Sequence, residues 1–115
     1  MAKRDPLDKR FYRIREVAEM LELPPSTLRF WQTQFPVIQA YRDSNGLRYY
    51  SPRDLENFRM IKYLIKERGL KIEAAQAEMR NNPKGVEKRS EAIDRLYSVR
   101  DRLQGMLDAL NSIRR

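Results

Sequence analysis

The side chains with chemistry to offer are cations, hydroxyls and amides at short, regular spacings. Ser26, Thr27, Arg29 and Gln32 fall within two turns of one short periodic stretch. Groups of these types bond base edges in a major groove or anchor phosphates. Ser26 and Thr27 also stand where the free N–H groups of a helix start attract an anion. Arg42, Asn45 and Arg48 bracket a turn, so two guanidiniums can project from one small ribbon toward a phosphate or a narrow groove. Tyr49 is a further contact candidate beside them, and Lys66, Arg68 and Lys71 form a third basic cluster. For each group the alternative is a solvated polar surface. The balance of 24 Lys+Arg against 16 Asp+Glu, a net charge of +8, favours a polyanionic partner.

The same census removes most of catalysis. There is no Cys and no His, hence no disulfide, thiolate zinc site or Cys nucleophile, and neither the usual general base nor the commonest metal ligand. Acidic residues are scattered among basic ones, and no hydroxyl has a base beside it. No enzyme activity, metal or other cofactor is expected. The longest apolar runs are a few residues, far below the ~18 that span a bilayer. Residues 1–6 carry charge with no apolar stretch behind them. The expected location is the cytoplasm, with no membrane partner.

These groups need elements to hold them. Ten of the eleven aromatic rings lie in the first 63 positions, so the globular core is expected N-terminal, ending near Arg80. At 35% charged, the chain exceeds the globular norm of about 25%, which predicts an elongated or highly solvated shape. Val17, Ala18 and Leu21 mark a first helix over 15–22. Leu23-Pro24-Pro25 makes a turn, with Pro25 suited to the first position of a second helix reaching Gln34. Two short helices joined so tightly have the pattern of a helix-turn-helix. Strands are predicted over 37–41 and 47–50, with Asn45-Gly46 supplying the positive-φ residues of a hairpin turn. A hairpin in that place is a wing. Ser51, Pro52 and Asp54 open a third helix as N-cap, first position and acidic partner of a capping box. Its buried stripe is Leu55, Phe58, Ile61 and Leu64 or Ile65, and Gly69 stops it. A fourth helix covers 72–80, with Ala75 and Met79 facing inward. Asn81-Asn82-Pro83 then breaks the chain.

In four stretches, in order, the chain resembles the MerR-type transcription regulators. Ile14-Arg15-Glu16-Val17-Ala18 is similar to their opening helix and Ser26-Thr27-Leu28-Arg29-Phe30-Trp31 to their recognition helix. Asn45-Gly46-Leu47-Arg48-Tyr49-Tyr50-Ser51-Pro52, with Asp54-Leu55, resembles their wing and the helix after it. Arg68-Gly69-Leu70-Lys71-Ile72-Glu73 resembles the link to the fourth helix. The resemblance covers residues 12–80 and implies DNA contacts from Ser26, Thr27, Arg29, Phe30, Trp31, Gln32, Arg42, Asn45, Arg48, Tyr49 and Lys71. It makes Arg48 a wing arginine and Lys71 part of a second wing. Phe30 and Trp31 stand where the family usually has two tyrosines. Phe30 has no hydroxyl for a phosphate; Trp31 keeps one indole N–H and fits either the core or a DNA contact. Gln32 replaces a usual Glu, and Pro24 stands where a capping Ser is common. The sequence has no Cys or His, and no effector domain is expected after the long final helix, so a metal- or drug-sensing role is not expected.

That final helix is expected over 85–113, about 28 residues or ~42 Å. Val86, Ile93 and Leu107 fall on one heptad line, and Leu96, Leu103 and Leu110 on the other. Met106 and Ile113 widen the stripe, while Arg100 and Arg89 interrupt it. Mid-helix Gly105 costs about 1 kcal/mol relative to Ala. The same helix of a second molecule can cover this stripe, through Ile93, Leu96, Leu103, Leu107 and Leu110; folding back on its own domain is the alternative. By resemblance the pairing is antiparallel.

The expected architecture is therefore mainly α: a basic flexible arm over 1–10, a winged helix-turn-helix domain over 11–80 with a small β-hairpin wing, and a dimerisation helix over 84–115. The expected function is sequence-specific binding of double-stranded DNA as a homodimer on a near-palindromic site. The resemblance implies a transcription regulator that bends and untwists a promoter, engaging RNA polymerase indirectly. One rival is a protein-binding module on the same fold, like the modulators of J-domain co-chaperones, which needs no arginine-bearing wing. Another is a phage-type excisionase or architectural DNA binder.

Overall fold

The computed structural model describes residues 11–114; the expected basic arm over 1–10 lies outside them. Helix α1 (Ile14–Leu21) buries Val17, Ala18 and Leu21, the predicted stripe. Glu22 ends it in the left-handed region at φ 58°, a conformation stabilised as Leu23 N–H closes onto the Ala18 carbonyl at 3.0 Å. Pro24 is the N-cap of α2 (Pro25–Gln34), with Pro25 at its first position. Pro24 offers no capping side chain, and its carbonyl accepts from Thr27 N–H at 3.1 Å.

The predicted first strand is displaced. Pairing is confined to β1 (Tyr41–Arg42) and β2 (Arg48–Tyr49), antiparallel, with Tyr41 opposite Tyr49 and Arg42 opposite Arg48. Residues 37–40 are irregular because their backbone groups have other partners. Ile38 N–H turns back onto the Phe35 carbonyl at 3.1 Å, and Gln39 N–H donates to Asp54 Oδ1 at 3.0 Å. An unpredicted bridge instead joins Tyr12 to Tyr50, each N–H donating to the other's carbonyl at 2.7 Å.

The turn also differs from expectation. Gly46 is at φ +83°, but Asn45 is not in the positive region. Asp43 organises the loop: its Oδ1 accepts from Asn45 N–H at 2.9 Å and Leu47 N–H at 3.0 Å. An Asx-type turn followed by one left-handed glycine replaces the two-residue mirror turn.

Helix α3 (Pro52–Lys62) starts on the predicted capping box. Ser51 Oγ accepts from Asp54 N–H at 3.1 Å, and Asp54 Oδ2 accepts from Ser51 N–H at 3.2 Å. It continues as a wider π turn through Tyr63–Glu67 and stops at Gly69, φ +69°. Leu55, Phe58, Ile61 and Leu64 are buried as predicted, and Ile65 is only partly covered. Next come α4 (Ile72–Asn81) and α5 (Pro83–Arg114), separated by Asn82.

The core gathers Val17, Leu28, Phe35, Tyr50, Phe58, Ile61 and Ala75 into one cluster. Val86 belongs to it too and is fully buried, which corrects its assignment to an intermolecular seam. The break at Asn82 turns the first turns of α5 back onto α3 and α4, covering Val86 and Ser90. The helix keeps contact with the domain as far as Tyr97, whose hydroxyl reaches Glu67, and then projects away from it. Overall extents of 55 × 38 × 29 Å and a radius of gyration of 17.0 Å, against about 13 Å for a compact chain of this length, match the elongation inferred from charge content. No helix among the described residues is long and apolar enough to cross a membrane.

Candidate nucleic-acid interface

Three tethers hold α2 and its neighbours in place. Lys62 Nζ donates to the Leu21 carbonyl at 2.7 Å, fixing α3 against the end of α1. Gln76 Nε2 donates to the Gln34 carbonyl at 2.6 Å, fixing α4 against the end of α2. Tyr50 ties the hairpin to α2: its ring packs on Phe58 at 5.7 Å, and its hydroxyl donates to Gln32 Oε1 at 2.6 Å.

With Leu28 and Trp31 turned into the core, α2 presents Ser26, Arg29 and Phe30 to solvent, with Thr27 and Gln32 half-buried at the margins. Trp31 is 3% exposed. It belongs to the core, and its place among DNA contacts is corrected: helical spacing puts it one turn from Leu28 on the buried face. Phe30, by contrast, is 52% exposed and offers an apolar face.

On the wing, Arg42 and Arg48 are cross-strand partners, both exposed. Like charges directly opposite each other destabilise a ribbon. Neither has a carboxylate partner among the described residues, and the same holds for Arg29 and Lys71. The charges of Arg48 on the wing and Arg29 on α2 both act on the Tyr50 phenol. Burial raises the phenol's pKa, partly offset by Arg48 and Arg29. Tyr50 therefore stays protonated, a hydrogen-bond donor, at neutral pH.

Asn45 is exposed at the wing tip. Tyr49 is half-buried, and sequence reasoning missed its surroundings: Arg13 lies 5.5 Å over its ring, and Phe11 approaches edge-on at 6.4 Å while stacking on Tyr41 at 5.4 Å. The adjacent Phe11-Tyr12-Arg13 was a visible signal, but its pairing with the hairpin is non-local. In the third cluster, Arg68 is engaged by Glu78 at 3.5 Å, leaving Lys66 and Lys71 as the exposed cations.

Along α5, Ile93 is half-buried and lines a groove with Met20, Leu21, Tyr63 and Tyr97. The groove wall is braced where Tyr97 OH donates to Glu67 Oε2 at 2.7 Å. Leu96, Leu103, Leu107 and Leu110 are all more than half exposed, with Met106 and Ile113 beside them. Glu56, Glu87 and Glu91 bring their carboxylates together where α3 meets α5. The Glu56 carboxyl is raised above the ordinary range, chiefly by burial; Glu91, Glu87 and Asp94 add to this and Arg59 opposes it.

Two tightly turned helices and a short hairpin, with arginines on both that have no carboxylate partner among the described residues, define a winged helix-turn-helix protein. The model of the MerR HTH family regulatory proteins matches residues 12–82. The chain belongs to that family of transcription regulators. It is 30% identical over 95 residues to the HTH-type transcriptional repressor CarA of Myxococcus xanthus, covering 81% of this chain and 33% of that protein. It is 32% identical over 63 residues to the HTH-type transcriptional regulator ZntR of Escherichia coli, covering 55% of this chain and 44% of that one. The chain thus spans between a third and a half of the length of these relatives. A crystal structure of a MerR-family transcriptional regulator from Bacillus thuringiensis aligns with TM-score 0.49 and 23% identity, covering 89% of this chain and 98% of that one.

Proposed function

We propose that the protein binds double-stranded DNA as a homodimer and regulates transcription in the cytoplasm by bending and untwisting promoter DNA, engaging RNA polymerase only through that DNA. The observation that carries this reading is the set of exposed arginines on recognition helix and wing with no carboxylate partner among the described residues. Facing guanidiniums on a two-residue ribbon cost stability unless a polyanion neutralises them. Ser26, Thr27, Arg29 and Gln32 face the major groove, Arg42, Asn45, Arg48 and Tyr49 the adjacent backbone, and Lys71 a further phosphate. The exposed stripe from Leu96 to Leu110 supports pairing through α5, giving two half-sites related by a dyad. The DNA-binding unit spans 11–80, and within the dimerising segment 84–115 the exposed apolar stripe begins at Leu96, while Ile93 lies half-buried against its own domain.

Salt dependence tests this. Arg29, Arg42, Arg48 and Lys71 in each of two subunits neutralise about eight phosphates, so log affinity should fall against log salt with a slope near −7. Arg48→Ala should reduce the slope by about two, one per subunit. A slope near zero would refute DNA binding.

A further inference from the structure

Gln32 is the recognition-helix residue whose side chain is anchored by the wing. Its Oε1 accepts from the hydroxyl of Tyr50, a residue only 1% exposed. The carboxamide oxygen is thus directed inward. Among the described residues its Nε2 has no partner, and no buried side-chain nitrogen or oxygen lacks one. That nitrogen is therefore open to solvent, on a helix that also presents Arg29.

The phenol has a single hydrogen, and it is directed at Gln32 Oε1 at 2.6 Å. An amide nitrogen would meet that hydrogen donor to donor; an oxygen accepts it.

An unconstrained glutamine reads adenine bidentately, offering oxygen to N6–H and nitrogen to N7. Gln32 cannot do so while its oxygen is held. We infer that Tyr50, without touching DNA, sets the base preference of the recognition helix by holding Gln32 as a donor-only reader, selecting a base edge rich in acceptors such as guanine O6 and N7 or thymine O4. Tyr50 is a positioning residue in this scheme, and Gln32 the residue that reads. The inference rests on the proposed DNA-binding role of α2.

The test is selection of randomised half-sites by the wild type, Tyr50→Phe and Gln32→Glu, with overall affinity measured alongside. Tyr50→Phe keeps the ring on Phe58 and releases the carboxamide, so preference at one position should move toward adenine by about fivefold or more. Gln32→Glu still accepts from Tyr50 but turns an acceptor outward, so the same position should move toward cytosine, whose N4 donates. A general loss of affinity accompanies the added charge at every sequence and is separable from that shift. Should Tyr50→Phe fail to fold, the wild-type preference decides: adenine at the position that shifts in Gln32→Glu overturns the inference, and guanine or thymine there supports it. If the wild type selects a defined site and a folded Tyr50→Phe leaves preference unchanged at every position, the inference is wrong while DNA reading stands. If the wild type selects no sequence, the reading of α2 fails and takes the inference with it.

Discussion

Replacing Leu107 by Asp should separate the proposed pairing through α5 from the folding of the domain. Leu107 is 51% exposed and flanked on its face by Leu103 and Leu110. Leu103 is the poorer target because Arg100, held 4.8 Å over the Tyr97 ring, lies one turn away and could pair with a new carboxylate. Covering a fully exposed leucine contributes roughly 1.5–3 kcal/mol, so covering the exposed half contributes about 1 kcal/mol per copy and about 2 in a homodimer. An unpaired carboxylate in that seam adds a desolvation penalty of several kcal/mol per ion. The combined loss of roughly 5 kcal/mol or more weakens association by about 10³-fold or beyond. The domain core, made by residues 17–86, is untouched, so Leu107→Asp should be a folded monomer. It should keep weak half-site affinity and lose the advantage of linking two half-sites, on the order of 10²–10⁴. Sedimentation and DNA binding on the same sample measure both. A variant that stays dimeric at micromolar concentration, or a monomeric wild type that binds a full site tightly, would refute α5 as the interface.

Two further outcomes concern the domain itself. Asp54→Ala removes the acceptor for Ser51 and Gln39 N–H and should lower stability by roughly 2–3 kcal/mol, read as a lower urea midpoint with unchanged slope. The Glu56 carboxyl, raised in the folded state, binds more protons folded than unfolded between its ordinary and shifted pKa, so it costs stability as pH rises through that window. Glu56→Gln should therefore melt higher than the wild type at neutral pH, with the difference closing on acidification; a lower melting temperature at pH 7 would contradict this.

Local physics made much of this legible. The cap at Ser51, the proline starts of α2 and α3, and the stops near Glu22 and at Gly69 are settled within a few residues of chain, so their residue types announce them. The strand over 37–41 misled because Val37-Ile38 has the composition of a strand, while its hydrogen-bonding partners are Phe35 and Asp54, the latter 15 residues from Gln39. Asn45-Gly46 misled because a neighbouring carboxylate, Asp43, took over the turn. Gln32 and Arg29 were visible as polar residues on a helix; nothing local distinguished the free one from the one held by Tyr50.

By itself the sequence determined the periodicities, caps and charge from which the winged fold, its basic face and the apolar stripe of the last helix follow, because each depends on side-chain type and short-range spacing. Only the tertiary structure decided which groups remain available. It put Trp31 and Val86 in the core, engaged Arg68 with Glu78, gave Tyr49 to Phe11 and Arg13, and turned the oxygen of Gln32 inward. Each of these outcomes depends on a partner brought near by folding, and the free energy of a polar or apolar group is set by that partner rather than by its own type.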